Sequence, residues 1–153
     1  MNIEHVKIAK QGREAMRAWA EANPDTTFDV SGATFETPVS VSGLTFKYFN
    51  ADNATFKYFN AYNATFKFFY AGGATFKLFY AEDATFKLFF ARGATFGTFN
   101  ARGATFKGFY ARNATFGMYA GDATFGDSDT EGATRIIGNK RCQLCLVPTP
   151  KNA

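Results

Sequence analysis

The chain has 153 residues, 46% of them hydrophobic, with 17 Lys and Arg against 13 Asp and Glu, a formal net charge of +4 and a pI near 9.1. That length suits one domain with a real core, and a mildly basic surface is compatible with an acidic partner. Twenty Phe beside few Leu, Ile and Val is not how an ordinary core is stocked, and points to a repeat.

The leader "IEHVKIAKQGREAMRAWAEA", residues 3–22, predicts one helix. Ile8, Ala15, Met16 and Trp19 recur at roughly helical spacing, Gly12 weakens the middle, and Asn23-Pro24 ends it. It carries charges on every turn and lacks the apolar run of a secretory signal. No stretch is long enough to span a membrane, so the chain is expected to be soluble and cytoplasmic, with no membrane partner. The Asn-Ala-Thr triplets at Asn53, Asn63 and Asn113 then read as by-products of the repeat. An apolar stripe needs something to cover, and residues 1–25 are assigned as an N-terminal cap on the repeat region that begins at residue 26.

Phe46, Phe56, Phe66, Phe76, Phe86, Phe96, Phe106 and Phe116 follow one another at ten-residue intervals. Thr precedes each, and Ala precedes that Thr in all but the first, where Leu44 stands. A second series, Phe59, Phe69, Phe79, Phe89, Phe99 and Phe109, trails the first by three residues, with Phe49 opening it. Positions 53, 63, 73, 83, 93, 103 and 113 hold Asn, Gly or Asp, which tolerate positive φ and mark turns.

A β-meander would place Phe56 and Phe59 on opposite faces of a thin sheet. Its hairpins would also force Tyr62 and Glu82 to positive φ. Splitting each ten into two fives instead makes the inward pairs Ala/Phe and Phe/Ala, alternately small and large, with a corner between them. The all-β solenoid is the better reading.

These fives, with a central Phe and a small residue two before it, resemble the pentapeptide-repeat protein family. The leader "EHVKIAKQGREAMRAWAEANPDTTFDVSGATF" resembles the opening of many such proteins, and the resemblance covers residues 4 to about 127. It departs from the family in placing Phe at alternate, normally small, inward sites and Thr before the central Phe. The resemblance implies a right-handed quadrilateral β-helix with four fives per coil. Residues 26–137 would then form roughly five coils, a rod about 26 Å long. Two slips are visible: Phe35 to Phe46 is eleven residues, with Pro38 inside, and predicts a bulge; Phe116 to Phe125 is nine, and predicts fraying or closure. Residues 138–153 form a cap or tail, in which "RIIGNKRCQLCLV" predicts a hairpin turning at Gly138 and Asn139 and offers a homodimer contact.

Catalytic constellations are not expected. His5, the one histidine, is expected on the surface of the leader, and Glu82 with Asp83 reads as a solvated corner. Cys142 and Cys145 lack the further ligands structural zinc needs and read as buried or incidental thiols, with an intersubunit zinc a distant alternative. No cofactor or metal is expected.

If residues 20 apart stack, Lys47, Lys67, Lys87 and Lys107 form one ladder. Asn50, Tyr70, Phe90 and Tyr110 form the next, with Arg92 and Arg112 beyond. The opposite side has Lys57 and Lys77 before Gly97 and Gly117. The Thr rows resemble ice-binding surfaces, but each rung offers one Thr with Lys two residues on. Two functions are expected: a non-enzymatic scaffold for protein interaction, or a basic and aromatic face binding nucleic acid or another polyanion. Members of the family that mimic duplex DNA toward type II topoisomerases need an acidic surface, so the positive charge argues against mimicry here.

Overall fold

The computed structural model describes residues 1–120, 122–137 and 140–143. The leader is two helices, α1 (Ile3–Gln11) and α2 (Arg13–Ala22), rather than the single one expected. The break is Gly12, at φ 112° and ψ −176°, a conformation that L side chains rarely adopt and no helix contains. Asn2 caps α1 by accepting from the backbone N–H groups of Glu4 and His5.

The strands follow in chain order: β1 (Thr27–Asp29), β2 (Thr34–Phe35), β3 (Val39–Ser40), β4 (Thr45–Asn50), β5 (Thr55–Phe56), β6 (Phe59–Asn60), β7 (Thr65–Tyr70), β8 (Thr75–Tyr80) and β9 (Thr85–Phe90). After them come β10 (Thr95–Asn100), β11 (Thr105–Tyr110), β12 (Thr115–Ala120), β13 (Thr124–Asp129), β14 (Thr134–Ile137) and β15 (Lys140–Gln143). Among the described residues they build two sheets. One is ordered β1-β4-β7-β9-β11-β13, and the other runs from β2 through β5, β8, β10 and β12 to β14 and β15, with β3 and β6 alongside. From β1 to β14 pairing is parallel, with Thr65 beside Thr85 and Thr75 beside Thr95, so residues 20 apart do stack and the chain is a β-solenoid.

The corners are of two kinds. At Ala51–Ala54 the N–H of Ala54 donates to Ala51 O at 3.0 Å and Asn53 has φ 58°, the positive value a type II turn requires at its third residue. All seven turn positions read from the sequence have positive φ. The intervening corners are bends within a strand. In β7, Phe66 and Phe69 are buried, Lys67 is exposed and Phe68 half-buried, so alternation breaks between 67 and 68.

Ala and Phe fill the interior as expected: Ala54, Phe56, Phe59 and Ala61 are all buried, as are both Phe series. Rings 20 apart stack nearly parallel, Phe86 on Phe106 at 4.8 Å and 3°, while the two columns of a sheet meet edge to face, Phe66 on Phe69 at 4.9 Å and 73°. This combination satisfies the ring quadrupole in both directions.

The first slip is a bulge at residues 36–38: Phe35 pairs Phe56, yet Val39 pairs Phe59, so the early strand spends one more residue between the two. The second falls between Ala120 and Thr124, because Asn100 pairs Ala120 but Thr105 pairs Thr124. β13 continues on β11, and β14 turns back antiparallel into β15. The hairpin is thus present, while its turn residues and Cys145 lie outside the described residues, as does most of the segment expected to dimerise.

His5 corrects the expectation of a surface residue: it is only 8% exposed. Its ring stacks on Phe28 at 4.9 Å and 9°, and Trp19 meets both edge-on. Nδ1 accepts the N–H of Asp29 at 2.9 Å, satisfying a donor on the β1 edge. The imidazole serves as one more rung, laid on the end of the Phe28–Phe49 column.

Candidate interaction face

The register carries Lys47, Lys67 and Lys87 outward in a single row, each next to a buried Phe, and Lys107 continues it. A parallel row of Thr45, Thr65, Thr85 and Thr105 lies two residues upstream. Where α2 overhangs this side a groove of about 600 Å³ runs along the ladder. The rungs are not equivalent. Lys47 donates to Asp25 at 2.7 Å, and this partner holds the ammonium pKa above its usual range. Lys47 and, more weakly, Lys67 hold the Asp25 carboxyl below its own. Lys67, Lys87 and Lys107 are exposed and make no ion pair among the described residues.

Tyr70, Phe90 and Tyr110 form the expected neighbouring column, half-buried, with centroids 5.3 Å apart at each step and nearly parallel planes. Within the column Phe90 is thus stacked on both faces, and Tyr70 and Tyr110 each on one. Arg92 is exposed, whereas Arg112 is bound by Asp129 at 3.0 Å and Glu131 at 2.8 Å, so the basic strip ends there. Asp129 is held below the usual carboxylate range by the Glu131 N–H and by Arg112.

Two features escaped the sequence reading. Asp25 lies in the connection after α2, with no periodic relation to Lys47. A further aromatic row at the bend, Tyr48 on Phe68 at 5.0 Å, extends the apolar patch toward the lysines, which lie over these rings at 5.6 and 5.8 Å. Its signal was present, since positions 48, 58, 68, 78 and 88 are all apolar or aromatic. The row stops at Gly108, where a Cβ would come within 2.7 Å of Leu88 and 2.8 Å of Tyr110.

The opposite side is less charged. Lys57 and Lys77 line a smaller groove of about 490 Å³ with Glu36 and Gly97. Glu82 accepts from Asn100 at 2.7 Å and Asp83 sits at φ 56°, a solvated corner as expected. Among the described residues no cluster of His, Cys, Asp and Glu could hold a metal, and no helix is long and apolar enough to cross a membrane. Compared with known proteins, the chain matches no family model, no curated protein and no solved structure.

Proposed function

We propose that this chain is a non-enzymatic pentapeptide-repeat scaffold, coiled as a right-handed quadrilateral β-helix, that binds a protein partner through the side carrying the lysine ladder. The observation behind this reading is the row Lys67, Lys87 and Lys107, exposed, collinear and without ion pairs among the described residues. Lysines spread for solubility alone would be expected on both sides, yet the matching row opposite stops at Lys77 and gives way to Gly97 and Gly117. A second reading, binding of nucleic acid or another polyanion, rests on the same row. It is weakened by the stacked column, because rings already face to face leave fewer free faces for bases to meet. Mimicry of DNA is disfavoured by the net charge of +4.

The test is quantitative capture from lysate with the wild type and with a Lys67→Glu/Lys87→Glu/Arg92→Glu variant. Proteins held by the wild type and lost from the variant are expected. Identical captured sets would remove the basic side as the working face. A gel shift at about 50 mM salt, where electrostatic affinity is greatest, decides the second reading.

A further inference from the structure

We infer that the occupant of the groove is an acidic α-helix of the partner protein, lying along the solenoid axis with one carboxylate per turn set against Lys67, Lys87 and Lys107. This rests on the proposal that the lysine-bearing side is the working face.

Charge favours an occupant that carries carboxylates. Six cationic side chains line the groove, Arg13, Arg17 and the four ladder lysines, against the single carboxylate of Glu21. The two arginines are partly neutralised, since Arg17 pairs with Glu14 and Glu21 and Arg13 pairs with Glu14. The three outer lysines are not.

The chain also supplies its own precedent. The first rung already holds a carboxylate, Asp25 on Lys47 at 2.7 Å. Its pairing shows that an oxygen anion fits above this row without disturbing the strands beneath. The backbone beneath the following rungs repeats by register, and there the lysines are exposed.

Spacing then selects a helix. Lys67 to Lys107 is two rung steps, about 9.6 Å at about 4.8 Å each. Two helical turns advance about 10.8 Å, so a helix misses by about 1 Å over the row, which lysine side chains absorb. Alternate residues of an extended strand advance about 13.4 Å in two steps, a mismatch of about 4 Å. Successive charges on one strand of a duplex advance only about 6.8 Å, short by about 3 Å. A helix carrying Glu at i, i+3 or i+4 fits best of the three.

The floor of the groove is apolar, with the buried Leu44 and Phe46 beneath the half-buried Ala20.

The probe is a fluorescently labelled helical peptide of about 18 residues, roughly 27 Å of helix, with Glu on one stripe. It is compared with a peptide of the same composition interrupted by Pro, and with single- and double-stranded oligonucleotides, by anisotropy at about 50 mM salt and at higher salt. The helical peptide is expected to bind best, and roughly tenfold more weakly to Lys67→Glu/Lys87→Glu, since each exposed pair contributes a few-fold and reversal doubles the effect. Lys57→Glu/Lys77→Glu makes the same change in net charge on the opposite side and is expected to leave binding intact. Circular dichroism confirms that both variants keep the fold. Equal binding of the interrupted peptide, tighter binding of an oligonucleotide, equal loss in the Lys57/Lys77 variant, or no peptide binding at low salt would each overturn the inference. If any of these occurs while capture from lysate still depends on Lys67 and Lys87, the helix alone is wrong. If capture is indifferent to them, the proposed working face falls as well.

Discussion

Replacing Phe79 by Ala tests how the rod is held together. Phe79 is fully buried. It stacks on Phe59 at 5.5 Å and on Phe99 at 5.2 Å, and meets Phe76 and Phe96 edge-on at 4.9 and 5.4 Å. Truncating a buried Phe costs about 3–5 kcal/mol through lost transfer energy and the cavity left behind. Phe79 belongs at the top of that range, because rings above and below both lose a stacking partner worth about 0.5–1.5 kcal/mol. Phe125 makes the useful comparison. It stacks on Phe106 at 5.2 Å, and no Phe follows it in the sequence. In a stack stabilised by nearest neighbours, Phe125→Ala should therefore cost about 1–2 kcal/mol less than Phe79→Ala. Urea titrations followed by far-ultraviolet circular dichroism measure the difference. For a chain of this size about 4 kcal/mol also lowers Tm by roughly 8–16 °C. Equal costs at the two sites would refute the nearest-neighbour account of this core.

The remaining predictions concern corners and caps. Asn63→Gly is expected to be neutral or slightly stabilising at φ 55°, and Asn63→Ala to cost about 1 kcal/mol; an unchanged denaturation midpoint for the Ala variant would contradict the turn assignment. Burial lowers the His5 pKa in the folded state, with Asp29 acting in the opposite sense. Between the folded and unfolded values the unfolded chain binds more protons, so this contribution is complete above about pH 6.5 and declines as pH falls below it. His5→Phe should flatten stability between about pH 7 and 5, and lower it by about 1 kcal/mol at pH 8, where Asp29 N–H loses its acceptor. A variant that keeps the wild-type slope would show that another group titrates there. Asp25→Asn frees Lys47, and should change stability by less than about 1 kcal/mol while tightening acidic-helix binding several-fold. Unchanged affinity would mean that the first rung lies outside the bound footprint.

Much of the interior was legible because each residue's environment is copied from the residue 20 positions away. Ala54 and Phe56 meet Ala74 and Phe76, and a one-residue error in register would expose every Phe on that side. The two slips were readable for the same reason, although only the pairing of Phe35, Val39 and Thr124 located the extra and missing residues. The lysine and tyrosine rows were legible in their order but not in their state. Sequence places Arg112 with Arg92, and nothing in the period announces that Asp129 and Glu131 take up one and leave the other free.

By itself, then, the sequence determined the inward pairs, the positive-φ corners and the rows on the outer sides, since parallel stacking of near-identical rungs turns a linear period directly into spatial neighbours. Only the tertiary structure decided that the leader breaks at Gly12, that His5 becomes the terminal rung under Trp19, and that Asp25 reaches Lys47. Those contacts join the non-repeating leader and its connection to the first coils. No period relates the two parts, and their meeting depends on how the chain folds back over the open end of the stack.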